Sequence, residues 1–248
     1  MTMTAHTPTA TAPSADPLRR TSLTAGILYL ITFVSVPTLA LFQPVREQAD
    51  FILGVGSDAG VRWAALSEVV VALACIGTAV VLYPVARRQS QTAAIGFVGA
   101  RVLEAGLIIV GVVNVLTVLT LRQDVAGTPG ADEAALITTG HTLAASYDWT
   151  FLLSQSLIPA FNALFLGYVM YRSGLVPRIL PIMGLVGVPL LLASDLAVFF
   201  GLYDRMAPIA AIAALPIAAW ELSLGVYLTV KGFRPAAVAA LPPARAVR

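Results

Sequence analysis

Apolar residues run along this chain in long unbroken stretches rather than at helical or alternating spacing. Six of these stretches come close to or exceed the ~20 residues that a helix needs to cross a bilayer: residues 23–42, 63–85, 93–121, 148–171, 179–201 and 207–230. They predict an all-α integral membrane protein built as a bundle of six transmembrane helices. The third stretch is longer than a bilayer requires and is expected to tilt or to emerge at its outer end. Pro37, Pro159, Pro189 and Pro216 fall inside four of the stretches. Membrane helices tolerate proline where neighbours satisfy the freed backbone groups, either as simple kinks or as unwound functional segments.

The flanks set the domain plan. Residues 1–18 are rich in Thr, Ala and Pro without apolar periodicity and are expected to form a disordered cytoplasmic tail. Residues 19–233 form the transmembrane domain, and residues 234–248 a flexible cytoplasmic tail. Arg19-Arg20 ahead of an apolar stretch is reminiscent of a twin-arginine signal. Ser22 stands where that motif needs an apolar residue, and no small-x-small cleavage site follows, so the first stretch reads as an uncleaved span. With six spans both termini share a side. The loops and tails on that side carry ten basic residues, against four (Arg46, Arg62, Arg122 and Arg205) on the other. The positive-inside rule therefore makes both termini cytoplasmic.

Composition agrees and excludes several functions. The chain is 58% apolar and 11% charged, with a mean hydropathy of +0.86, whereas soluble domains carry about 25% charged residues. Lipid must be part of its solvent, and the bilayer is its first partner. A net charge of +2 gives no reason to expect nucleic acid. Cys75 is the single cysteine, which excludes an intrachain disulfide, and His6 and His141 are the only histidines, which argues against a zinc site built on imidazoles. No metal or cofactor is expected. Gly54-Val55-Gly56 lacks the strand–helix context of a phosphate loop and reads as a turn. Hydrolase and protease motifs are missing, although His141 could approach Asp148 at the outer surface.

The candidate chemistry is a set of polar residues inside the apolar stretches. Arg101 and Glu104, three residues apart, lie on one helix face and can pair. Charges at that depth must face protein or trapped water. At about 1.5 Å per residue, Arg101, Glu104, Glu221 and Asn162 fall in one layer near the midplane. Glu68, Asp195 and Gln155 fall in a second layer toward the outside. Asp148, Gln155 and Asn162 are spaced by seven and predict a polar stripe on the fourth span, while Gly184, Gly187, Leu191 and Asp195 share a face of the fifth. Four carboxylates against one arginine would leave three negative charges in excess, so Glu68 and Asp195 are expected to be neutral or to hold a cation. Two functions compete. The site moves or senses a small polar or cationic solute, with proton coupling as one form of it; or the polar groups only fix helix register in a structural or regulatory protein. An intramembrane enzyme is a third alternative, without a catalytic group to name.

The segments LYPVARRQS (82–90), GARVLEAGLIIVG (99–111), YRSGLVPRILPIMGLVG (171–187) and ELSLGVYLTVKGF (221–233) resemble a bacterial multi-pass membrane family known as a domain of unknown function, number four-three-eight-six. The resemblance covers residues 23–233. It implies a bacterial plasma-membrane protein and carries over no catalytic or binding residue.

Overall fold

A computed structural model describes residues 17–48, 50–54 and 56–242. Most of the expected N-terminal tail, with His6, lies outside the described residues, as do Val55 and residues 243–248. Among the described residues every regular element is helical. They are α1 (Pro17–Thr32), α2 (Ser35–Glu47), a 3-10 turn (Phe51–Leu53), α3 (Asp58–Gln89), α4 (Gln91–Asp124), α5 (Glu133–Leu152), a π turn (Leu153–Leu157), α6 (Ile158–Ser173), α7 (Ile179–Phe199), α8 (Pro208–Val230) and the short α9 (Pro235–Ala240). Local chemistry sets several of these ends. The side chains of Ser57, Ser90 and Asp132 accept from Ala59 N, Ala93 N and Ala135 N at 3.3, 3.3 and 3.1 Å, as helix N-caps do. Gly174 closes α6 in the left-handed conformation (φ +66°), which a residue with a Cβ rarely adopts.

Five helices are long and apolar enough to cross a membrane: α3, α4, the continuous α5–π–α6 rod, α7 and α8. The predicted first span is instead broken. Phe33 N and Val34 N bond only three residues back, to Leu30 O and Ile31 O, and the chain restarts as α2. Pro37 offers no N–H to the carbonyl four residues before it, which is Phe33, so the helix resumes with this proline in its first turn. A second difference lies between the third and fourth apolar stretches, over residues 122–147, where the sequence predicts no span. There α5 begins already at Glu133. Its Thr138, Thr139 and Thr142 hydroxyls donate to carbonyls four residues back, so a stretch that reads as polar loop is helix.

Contacts sort the chain into two ends. At one end Arg19 donates to Leu228 O and Thr229 O at 3.2 and 2.8 Å, Arg88 donates to Leu241 O and Pro242 O at 3.1 and 2.8 Å, and Arg234 N donates to Leu175 O at 2.9 Å. At the other end Arg122 reaches across from the end of α4. It donates to the carbonyls of Phe51, Gly54 and Gly56 and lies 2.8 Å from Asp58 Oδ1, tying the 51–58 turn down. Between the ends the helices approach closely where glycine permits. A Cβ on Gly26 would fall 2.6 Å from Thr229 N, and one on Gly184 2.8 Å from the Trp220 ring. Thus α1 and α7 flank α8 on two sides. Outward-facing Leu73, Val80, Ile95 and Ile212 are each more than half exposed, as a lipid-facing surface requires.

Candidate functional site

The centre of the bundle is the Arg101 guanidinium, 1% exposed. Nη1 donates to Glu104 Oε2 at 3.0 Å, one turn away on α4, and to Cys75 Sγ on α3 at 3.5 Å. Nη2 donates to Glu221 Oε1 on α8 at 2.8 Å. Asn162 on α6 donates from Nδ2 to Glu104 Oε2 at 2.6 Å. The guanidinium also lies 4.9 Å from the Tyr29 ring centroid and 5.7 Å from that of Phe97, within reach of a cation–π attraction. Arg101 thus joins α1, α3 and α8 to its own α4, and Glu104 brings in α6 through Asn162. A charge buried this deeply is tolerated because carboxylates and ring faces replace most of its hydration.

Toward the other end the rod formed by α5 and α6 makes its π turn, just before Pro159. Ile158 N reaches back five residues to Leu153 O. A proline at 159 cannot donate to Gln155 O and crowds that carbonyl, and one extra residue in the turn relieves the conflict. The turn sends neighbouring side chains to different helices. Gln155 Nε2 donates to Glu68 Oε1 on α3 at 3.2 Å, beside the Tyr147 hydroxyl at 3.0 Å. Ser156 Oγ donates to Asp195 Oδ1 on α7 at 2.6 Å. Among the described residues Glu68 Oε2, Ser154 Oγ and Asp195 Oδ2 are buried without a hydrogen-bond partner, as are Arg101 Nε and Asn162 Oδ1 in the inner cluster.

A third cluster lies at the rim. Asp148 Oδ1 accepts from Arg46 Nε at the end of α2 and from Arg205 Nη2 in the α7–α8 loop, both at 2.7 Å. Arg205 also lies 4.5 Å from the Phe151 ring centroid. Burial lowers the pKa of this loop arginine from its ordinary value, and the Asp148 carboxylate opposes that shift.

These clusters meet in one cavity of about 390 Å³, within the ~300–1,000 Å³ typical of small-molecule sites. Arg101, Glu104 and Glu221 form its floor, Gln155, Ser156 and Asp195 one side, and Arg205 with Met206 its rim. The opposite side is α8 with the residue just before it, presenting Ala207, Ala210, Ala211, Ala214 and Ala218. Spacings of three and four keep these small side chains on one face, leaving room where larger ones would fill it. Ala207 and Glu221 both line the cavity, fourteen residues apart, so it follows α8 for about 21 Å. Thr32 and Phe33 also line it. The break after α1 therefore borders the cavity, and α2 leaves α8 to pack on α3 and α5.

The sequence profile of the family described as "Domain of unknown function (DUF4386)" matches residues 24–232. The chain belongs to that family. No curated protein and no solved structure matches it. For this DUF4386 member the site must therefore be read from its own geometry.

The structure brings the sequence-selected residues into three clusters rather than two layers. Arg101, Glu104, Glu221 and Asn162 are joined by hydrogen bonds. Glu68 and Asp195 lie on either side of the π turn, and only Asp195 lines the cavity, Glu68 standing behind Gln155. Asp148 does not continue a stripe with Gln155 and Asn162, because the π turn shifts the phase of the helix. It belongs to the rim with two arginines, not with His141, which borders a small hollow beside Ile52 and Val118. Arg46, Arg205, Tyr147, Ser156 and Tyr29 were not singled out by sequence. For the rim a signal existed: Arg46, Asp148 and Arg205 each sit where an apolar stretch meets a loop. The serine and the tyrosines carry none.

Proposed function

We propose that this protein crosses a bacterial plasma membrane six times, with both termini in the cytoplasm, and binds a small polar or cationic solute from the outer side in order to move or sense it. The α1–α2 pair acts as the sixth crossing. Arg19 at its start bonds α8 at the end that carries both termini, and Arg46 at its finish bonds Asp148 at the opposite end. The observation that carries the functional reading is the cavity, which joins the rim at Arg205 to the buried Arg101–Glu221 pair and passes Asp195 on the way. A protein that needed polar groups only to set helix register would have no use for so deep a space. The structural or regulatory alternative draws its support from Arg101, whose partners on α1, α3, α4 and α8 are those of a fixed core.

Two measurements separate these readings. For orientation, cysteines introduced at Ser90 and Ser173 are shielded from impermeant thiol reagents in intact cells, and one at Thr128 reacts. Labelling at Ser173 from outside overturns the six-crossing arrangement. For function, proteoliposomes are incubated with a mixture of polar and cationic metabolites, and the retained solutes are compared between the native protein and Ala214→Trp, which fills the cavity. A solute retained by the native protein and lost in the variant supports the reading. Identical retention in a properly folded variant supports the structural alternative.

A further inference from the structure

Resting on the reading of the cavity as a solute site, the chemistry of its walls narrows the solute class. We propose that the cavity takes an amphiphilic organic amine, with the ammonium on Asp195 and the apolar body along the alanine face of α8. Three observations carry this.

The first is the state of the acidic oxygens. Asp195 is 5% exposed and lines the cavity, and while Ser156 donates to its Oδ1, its Oδ2 has no hydrogen-bond partner among the described residues. Deeper down, Glu221 uses Oε1 for Arg101 and remains partly open to the cavity, its side chain 14% exposed. An ammonium N–H meets such an oxygen in a charge-assisted hydrogen bond, stronger than a neutral one. Among the described residues no three Asp, Glu, His or Cys side chains converge as metal ligands, so one N–H donor suits Asp195 better than a metal ion seeking several oxygens.

The second is the balance of cations. Both arginines of the lining are already matched: Arg101 by Glu104 and Glu221, Arg205 by Asp148. Arg46 shares Asp148 with Arg205, so two guanidinium groups meet on one carboxylate at the rim, with Asp204 acting on Arg205 from the next position. An anion is therefore the competing ligand class, and it forms one arm of the test.

The third is the apolar remainder. Leu191, Val198, Ile217, Phe151 and the α8 alanines surround these few polar atoms. A fully hydrated polar solute would leave this surface wet, whereas an alkyl or aryl group buries it.

The test uses three probes with one body and different heads, 4-phenylbutylamine, 4-phenylbutanol and 4-phenylbutyrate. Each is titrated calorimetrically into the full chain in nanodiscs, with empty nanodiscs subtracted. The amine binds saturably and at least about tenfold more tightly than the alcohol, the scale of one charge-assisted contact, and the carboxylate binds weakest. In Asp195→Asn, which keeps the acceptor for Ser156, the amine loses that advantage while the alcohol is unaffected and the melting temperature is retained. If all three probes bind equally well and Ala214→Trp removes them all, the cavity is a ligand site but the amine class is wrong. Preference for 4-phenylbutyrate likewise overturns the class and leaves the cavity reading intact. Absence of saturable binding by any probe up to millimolar concentration overturns the class, and the cavity reading is then decided by whether Ala214→Trp loses a solute that the native protein retains.

Discussion

The Arg101 cluster and the Asp195 wall border the same cavity, yet they satisfy their polar atoms in opposite ways. Arg101 has two carboxylates, a thiol and two aromatic faces around it, drawn from helices across the bundle. Asp195 has one serine hydroxyl and an oxygen left over. A buried charge paired with two carboxylates from two helices holds the fold together, even though Arg101 Nε itself has no hydrogen-bond partner among the described residues. A buried carboxylate that is half matched costs stability in the unliganded protein and is retained where it meets something else. The comparison teaches that depth in the membrane does not by itself separate scaffold from site; the number of protein partners does.

The sharpest way to break the comparison is to remove the arginine. Arg101→Leu strands Glu104 and Glu221 and uncouples α4 from α8, which scarcely touch elsewhere. Breaking a buried pair from one side costs about 3–5 kcal/mol. Denaturant titration of the protein in micelles should show a loss of that size, and a variant as stable as the native chain would remove the scaffold role. Asp148→Asn comes next. It leaves Arg46 and Arg205, with side chains 10% and 13% exposed, sharing a neutral amide. We expect a loss of about 1 kcal/mol, the common scale for single substitutions, together with faster proteolysis of the α7–α8 loop as it detaches from α5. Unchanged proteolysis would mean that the rim pair does not hold the loop.

Asn162→Leu removes one donor to Glu104 and leaves that carboxylate its arginine. Membrane hydrogen bonds average about 0.6 kcal/mol, so its effect should be well below that of Arg101→Leu. Equality of the two would show that Asn162, rather than the arginine, anchors the cluster. Smallest of all on stability is Asp195→Asn, expected to fall below Asn162→Leu because the amide keeps an acceptor for Ser156. A large destabilisation there would place Asp195 with the scaffold and erase the contrast.

The inner cluster was the most legible part of the sequence. An arginine and a glutamate three residues apart inside an apolar stretch have one sensible arrangement, and Glu221 at matching depth was the remaining partner. Long apolar stretches likewise marked α3, α4, α7 and α8. What was hidden has local physical causes. The break after Phe33 depends on how one proline is accommodated, by a kink or by a restart, and periodicity does not distinguish them. The helix over 133–147 looked like loop because threonines read as polar unless their hydroxyls are known to bond back to the helix. The π turn adds a residue without any compositional mark, so counting by sevens from Asp148 gave a stripe that the chain does not make. The cavity was least legible. It arises from alanines at spacings of three and four on α8 and from α2 turning away, and neither is visible until the helices are packed.

The central claim is that solvent from the outer side reaches deep along α8. Cys75 is fully buried, so single cysteines can be added to the native chain and labelled in intact cells with an impermeant methanethiosulfonate. Ala214 lines the cavity, whereas Val80 is 65% exposed on the outer surface of α3, where lipid covers it. Ala214→Cys is expected to react, Val80→Cys is not, and bound 4-phenylbutylamine is expected to protect Ala214→Cys. Ala214→Cys remaining as unreactive as Val80→Cys, while Thr128→Cys labels fully, would contradict the claim.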